Sequence, residues 1–191
     1  MNVFIKMICQ IKMGKEHKEM PKIIENVKQM LLDEARKQID EKGYSGLTMR
    51  SVAGACGLAV GTAYNYFESK DMLVATFMVS DWMVCVEKMK AGEMSPAERL
   101  EHIYICLLEF GKEHEKLFSD KGAEKSFSSA FFGRHALLRS QLAEIIVPIC
   151  PQKNGEKDMF LAEFIAEALL SWSGSGKEYS ELSPVMMKLL K

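Results

Sequence analysis

The chain is short of punctuation, of reactive side chains and of long apolar runs. Its 191 residues include five prolines and thirteen glycines, so there are few positions at which a helix is forced to stop. Five cysteines (Cys9, Cys56, Cys85, Cys106 and Cys150) form an odd set with no CxxC pair, which argues against a disulfide framework and for reduced, buried thiols. There is no Gly-rich phosphate loop, no HExxH and no GxSxG, and the four histidines have no evident nucleophile beside them. No catalytic group and no cofactor is therefore assigned. The longest mostly apolar stretch, residues 73–86, is interrupted by Asp81 and falls short of the roughly 20 residues that span a bilayer. Lys6 and Lys12 interrupt the apolar start, and no small-residue cleavage site follows, so a secretory signal is not expected and a cytoplasmic location is.

The composition is that of a globular protein, 48% apolar and 27% charged, with enough chain for one or two domains and a sizeable core. The formal net charge of −1 is unevenly spread. Residues 1–67 carry ten Lys or Arg and seven Asp or Glu, whereas residues 68–191 carry fifteen and nineteen. A mildly basic front on an acidic body permits a polyanionic partner and equally describes an ordinary solvated surface.

Between the breakers the apolar residues recur with a helical period, and no strand alternation is sustained, so the fold is expected to be all-α with about nine helices. A first helix over residues 21–41 carries Ile24, Val27, Leu31, Ala35 and Ile39 on one stripe, with Gly43 beyond its end. Thr48 opens a short second helix that stops at Gly57, and a third runs from about residue 58 or 60 to 66. Ser69 begins a long fourth helix reaching about residue 90. Ser95, Pro96 and Glu98 give cap, first-turn proline and capping-box acid for a fifth helix to about residue 114. Residues 115–132 read as a looser region, residues 133–147 as a helix closed by Pro148, and residues 152–157 as a polar connection. A helix over residues 158–172 and a last one opened by Ser183-Pro184 complete the chain. The expected organisation is an extension over residues 1–20, a helix-turn-helix domain over 21–68 and a larger helical bundle over 69–191. Met7, Met13 and Met20 leave the natural start of that extension open.

The informative stretch is residues 47–70. Val52 and Ala53 pack the first short helix, Gly57 allows the positive φ of a tight turn and Leu58 anchors the elbow, which together describe a helix-turn-helix. From Leu47 to Phe67 there is no acidic residue and one basic one, Arg50, so the second short helix presents Thr62, Tyr64, Asn65 and Tyr66 without repelling phosphate. The small residues Ala59, Gly61 and Ala63 let its start approach a DNA backbone closely. Spacing alone also fits a helical corner that binds nothing.

At these positions the sequence resembles the TetR (tetracycline repressor) family of bacterial transcriptional regulators. The resemblance rests on Gly43-Tyr44, on Thr48 with Val52-Ala53, on the turn 55–58, and above all on residues 61–67 followed by Ser69-Lys70 and Leu73. It implies a homodimeric repressor whose recognition helices enter successive major grooves of a near-palindromic operator, and whose rear bundle binds a small hydrophobic effector. Carried over residue by residue, it implies phosphate contacts from Thr48, Thr62, Tyr66 and Lys70, with Val60, Tyr64 and Asn65 facing bases; Arg50, the one basic residue of the stretch, and Gly61, which lets the backbone approach, complete the candidate DNA-binding set. Ala59 and Val60 depart from the polar residues common in the family, which points to apolar reading of a thymine methyl.

The rear helices carry less specific signals. An apolar stripe with Phe160, Phe164, Ala168 and Trp172 pairs with one containing Leu138 and Leu142, as a two-fold four-helix contact requires, and the resemblance puts the dimer interface there. Phe77, Trp82, Tyr104, Phe110 and Phe131, among fourteen methionines, are candidates for lining an effector cavity; an ordinary Met- and Phe-rich core is the plainer description. His102 and Cys106 share a helix face, but no third ligand can be placed and no metal site is assigned. A helical carrier that has lost specific DNA binding through Ala59-Val60 is the alternative function.

Overall fold

Gly43 interrupts the first helix. Its φ of +72° and ψ of 173° lie in a region that side chains disfavour, and a Cβ there would meet Asp120 Oδ2 at 2.9 Å. The computed structural model describes residues 23–153 and 156–190, and the side chains of 23–25, 128–134 and 153 are outside that description. Among the described residues there are nine α-helices. They are α1 (Ile23–Gly46, kinked at Gly43), α2 (Met49–Ala55), α3 (Val60–Tyr66), α4 (Lys70–Lys90), α5 (Pro96–Glu113), α6 (Glu115–Phe118), α7 (Lys121–Ile146), α8 (Met159–Gly174) and α9 (Tyr179–Leu189). A 3₁₀ turn at Val147–Ile149 follows α7, and an antiparallel hairpin pairs β1 (Gln152–Lys153) with β2 (Glu156–Lys157).

The helices form two compact units. The front unit runs through Asp81 and takes in His114–Phe131; the rear unit comprises Trp82–Glu113 and the chain from Phe132 onward. In the front unit Leu31, Ala35 and Ile39 of α1, Val52 and Ala53 of α2, Ala63 of α3 and Leu73, Val74 and Phe77 of α4 are buried in one cluster, with Leu117 and Ala123. The i, i+4 spacing of the α1 residues places them on a single face, as the sequence stripe requires. The rear unit has its own core, built on Leu100, Ile103 and Tyr104 of α5, Leu142 and Ile146 of α7, Ile165 and Leu169 of α8, and Leu182 and Met186 of α9.

The start signals read from the sequence act as caps. Ser69 Oγ accepts the Met72 N–H at 3.1 Å, and Ser95 and Glu98 exchange backbone-to-side-chain bonds; Asp158, which the sequence gives only as the first residue of a helix, also caps, its Oδ1 accepting the Leu161 N–H at 2.9 Å. The Ser95 hydroxyl and backbone N–H hold the Glu98 carboxyl below the usual carboxylate range. Arg99 closes the other end of the α4–α5 connection by donating to the carbonyls of Met89, Ala91 and Gly92.

Three expectations change. The region expected to be loose is helical, because Asp120 caps α7 and the Ala123 and Phe127 side chains pack on the front core. The last helix begins at Tyr179 and passes through Pro184; Tyr179, Leu182 and Met186 all face the rear core, and their packing outweighs the one backbone bond that proline cannot make. The connection at 152–157 is a short hairpin rather than plain coil.

Candidate nucleic-acid interface

The turn between α2 and α3 is a complete Schellman motif. Leu58 N–H donates to Ala53 O at 2.8 Å and Gly57 N–H to Gly54 O at 3.1 Å, with Gly57 at φ +70°. A Cβ at Gly57 would meet nothing within 4 Å, so the glycine is demanded by backbone conformation and not by space. Leu58 packs against the front core and fixes the angle at which α3 leaves the turn.

The N-terminus of α2 is tied by a chain of polar side chains. Thr48 Oγ1 accepts the Ser51 N–H at 3.0 Å, and Ser51 Oγ accepts the Thr48 N–H at 3.2 Å. Ser51 Oγ in turn donates to Gln38 Oε1 at 2.6 Å, and Gln38 Nε2 donates to Glu34 Oε1 at 2.7 Å. Gln38 is buried, so this chain satisfies a polar side chain that would otherwise be costly. The exposed Thr48 hydroxyl spends its acceptor capacity inward and retains a proton to donate outward.

Helix α3 turns one residue in and the rest outward. Ala63 is fully buried against the front core, while Val60 and Tyr64 are 36% and 51% exposed, and Gly61 and Asn65 are exposed too. Thr62 and Tyr66 are half-buried at its flanks, and Arg50 is exposed on α2. No side chain caps α3, because Ala59 occupies the cap position. The exposed surface thus combines an aromatic ring, a carboxamide, a branched apolar side chain and hydroxyls, with no carboxylate from Leu47 to Phe67. Hydrogen bonding to base edges and phosphates, and apolar contact with a thymine methyl, are within its chemistry.

Lys70 has a second task that its sequence position does not reveal. Its ammonium donates to Tyr44 O at 3.1 Å and lies 4.0 Å from the centroid of the Tyr44 ring. The Tyr44 hydroxyl donates to Asp71, and burial together with that carboxylate pushes the phenol pKa up to about 12. Asp71 is thereby directed at Tyr44. Phe127 meets the same ring edge-on at 5.6 Å.

A family model described as bacterial regulatory proteins, tetR family, matches residues 31–76, which span the later part of α1 to the start of α4. Residues 31–76 are a TetR-type helix-turn-helix. The matched segment holds the whole α2–α3 unit, and the rest of the chain lies outside the family model. The HTH-type transcriptional regulator UidR of Escherichia coli K12 is 23% identical over 162 residues, 84% of this chain and 73% of that protein. Two solved structures share the fold. A protein of unknown function from Rhodococcus sp. RHA1 has a TM-score of 0.55 at 13% identity, covering 94% of this chain and 100% of its own. The fatty acid degradation regulator FadR of Bacillus halodurans has a TM-score of 0.50 at 21% identity, covering 91% and 97%.

The residues considered for an effector fall into different surroundings. Phe77 is buried in the front core, beneath the Arg36 guanidinium at 5.2 Å. Trp82, Tyr104 and Phe110 belong to the rear unit: Trp82 Nε1 donates to Gln141 Oε1 at 2.7 Å, its ring meets Phe110 edge-on at 5.3 Å, and Tyr104 donates to Lys177 O at 2.6 Å. The side chain of Phe131 and the extension over residues 1–20 lie outside the described residues. Cys106 Sγ and His102 Nε2 are 3.8 Å apart, and no group of three or more metal-binding side chains occurs among the described residues. Burial pushes the Cys85 thiol up to about 12 and raises that of Cys106, which makes both poor nucleophiles.

The residues considered for a dimer contact also divide. Phe160 and Phe164 are 81% and 53% exposed, Leu138, Ala168 and Trp172 are half-buried, and Leu142 is fully buried in the core of its own rear unit. Among the described residues no helix is long and apolar enough to cross a membrane.

Proposed function

We propose that this chain is a TetR-family transcriptional regulator, that it binds a near-palindromic operator as a homodimer and that a small hydrophobic effector held by the rear unit releases it. In this reading α3 enters the major groove with Val60, Tyr64 and Asn65 toward the bases. Thr48, Arg50, Thr62, Tyr66 and Lys70, with the backbone at Gly61, meet phosphates on either side. The observation that carries the reading is the division of α3 into a buried Ala63 and an outward row of Val60, Tyr64 and Asn65, in a stretch from Leu47 to Phe67 that holds no carboxylate. Exposed Phe160 and Phe164 support α8 as part of the dimer contact, since two adjacent phenyl rings on one helix face gain most by being covered. The half-buried residues Leu138, Ala168 and Trp172 flank that contact, and Leu142 supports it from inside.

Binding to randomised duplex DNA, with selection over successive rounds and sequencing of survivors, tests the reading. Recovery of inverted half-sites about one helical turn apart is expected. Recovery of no common sequence by a folded, dimeric protein would overturn it.

A further inference from the structure

The carboxylate of Asp120 holds two backbone segments together. Oδ1 accepts the N–H groups of Gly122 and Ala123 at 2.8 and 3.3 Å, which caps α7. The same carboxylate accepts the Ser45 N–H through Oδ2 at 2.9 Å and the Ser45 hydroxyl through Oδ1 at 2.8 Å. Two glycines make this approach possible. A Cβ at Gly43 would lie 2.9 Å from Asp120 Oδ2, and one at Gly122 would lie 2.5 Å from Ser45 Oγ and 3.0 Å from Asp120 Oδ1. Nearby, Lys116 Nζ donates to Asp40 O, and Phe127 packs on Tyr44.

Ser45 stands three residues before Thr48, the cap of α2, and the Leu47 N–H donates to Tyr44 O at 3.2 Å, so the short connection between them has little slack. We infer that Asp120 is a positioning residue for DNA binding: through Ser45 it fixes where the Thr48 hydroxyl and the first turn of α2 meet the phosphate backbone. The inference rests on the reading of α2 and α3 as the DNA-contacting elements. It makes the first turn of α7, far along the chain from the helix-turn-helix, part of the apparatus that sets affinity. It also accounts for a carboxylate close to a surface that receives phosphate: four hydrogen bonds occupy it.

The test uses the full chain and the duplex recovered by selection, with a random duplex of equal length beside it. Asp120→Ser keeps a good cap for α7 and removes the oxygen that reaches the Ser45 N–H. It is expected to weaken operator binding roughly tenfold, the range of one charge-assisted hydrogen bond. Because Asp120 acts through Thr48, adding Asp120→Ser to Thr48→Val should weaken binding no further than Thr48→Val alone. A merely stabilising role would leave binding by the folded fraction unchanged, or give additive effects, and either result would overturn the inference. Ser45→Ala, which deletes only the hydroxyl bond, is the second variant should Asp120→Ser fail to fold, and a several-fold weakening that is likewise absent on Thr48→Val is expected. If the unaltered protein fails to recover an operator, the underlying reading has failed; if it binds and both variants bind equally well, the role of Asp120 has.

Discussion

Arg36 grips Asp81 with two nitrogens, Nη2 at 2.6 Å from Oδ1 and Nε at 3.2 Å from Oδ2, and so ties α1 to α4 across the front unit. The fork geometry matches the carboxylate as a lysine could not. Asp33 adds a contact to Arg36 at 3.0 Å, and the buried His114 places Nε2 3.6 Å from Asp81 Oδ2. Phe77 lies under the guanidinium and shields the group on one side.

Removing one partner of this pair is expected to destabilise more than a surface ion pair would. Asp81→Ala should cost about 1–3 kcal/mol, because it leaves the Arg36 guanidinium and the His114 ring partly desolvated without their carboxylate. Urea unfolding of Asp81→Ala, Arg36→Ala and the double variant measures it. A coupling energy near zero would show the pair to be inert.

Gly57→Ala is expected to destabilise by about 1 kcal/mol, from the positive φ alone, since the added methyl meets open space. Gly57→Asn should recover part of that loss, because asparagine tolerates the left-handed region. Gly43→Ala should be worse than Gly57→Ala, since it adds a collision with Asp120 to the same conformational strain. Thermal unfolding of the three variants gives the order, and Gly43→Ala milder than Gly57→Ala would contradict it.

Acid should release the Asp120 clamp. The Ser45 N–H and hydroxyl, followed by the backbone of Gly122 and Ala123, hold its carboxyl at about 2, below the ordinary aspartate range. The folded pKa is the lower one, so the stabilisation is fully present above about pH 4 and is lost as pH falls toward 2. The unaltered protein should therefore lose stability over that window more steeply than Asp120→Asn, which has no proton to take up there. Denaturant unfolding at pH 5, 4 and 3 compares the slopes, and parallel slopes would exclude the clamp.

Lys70→Ala should weaken DNA binding and also lower stability, because the ammonium braces the Tyr44 carbonyl and ring. Arg50→Ala should leave stability near that of the parent, weaken binding to operator and random DNA alike, and lower the salt slope by about 1. Salt-titrated binding combined with thermal unfolding separates the two variants. Loss of stability in Arg50→Ala equal to that in Lys70→Ala would remove the distinction.

Much of the fold is legible in local chemistry. Thr48, Ser69, Ser95 and Asp158 start helices through hydroxyls or carboxylates that accept nearby N–H groups, so their signals lie within three residues of their effects. The α2–α3 turn is legible for the same reason, with Gly57 one residue past the end of its cap. Asp120 shows where local reading stops. Gly122 looks like a break in sequence, but its missing side chain admits Ser45, 77 residues earlier, and the preceding carboxylate caps the helix. Tyr179 likewise starts α9 ahead of Ser183-Pro184 because its ring packs on Tyr104 of α5. The outward row of α3 was visible as residue types; the internal bond of Lys70 to Tyr44 was not, since it joins residues 26 apart through a turn.

The most direct measurement is titration of the selected duplex with the full chain and with Asn65→Ala and Tyr64→Ala, beside a random duplex at several salt concentrations. The account predicts two chains per duplex and a loss of roughly 1–3 kcal/mol in operator binding for Asn65→Ala and Tyr64→Ala, with binding to random DNA and the salt slope almost unchanged. Equal losses on operator and random DNA, or no loss in either variant, would contradict α3 as the element that reads sequence.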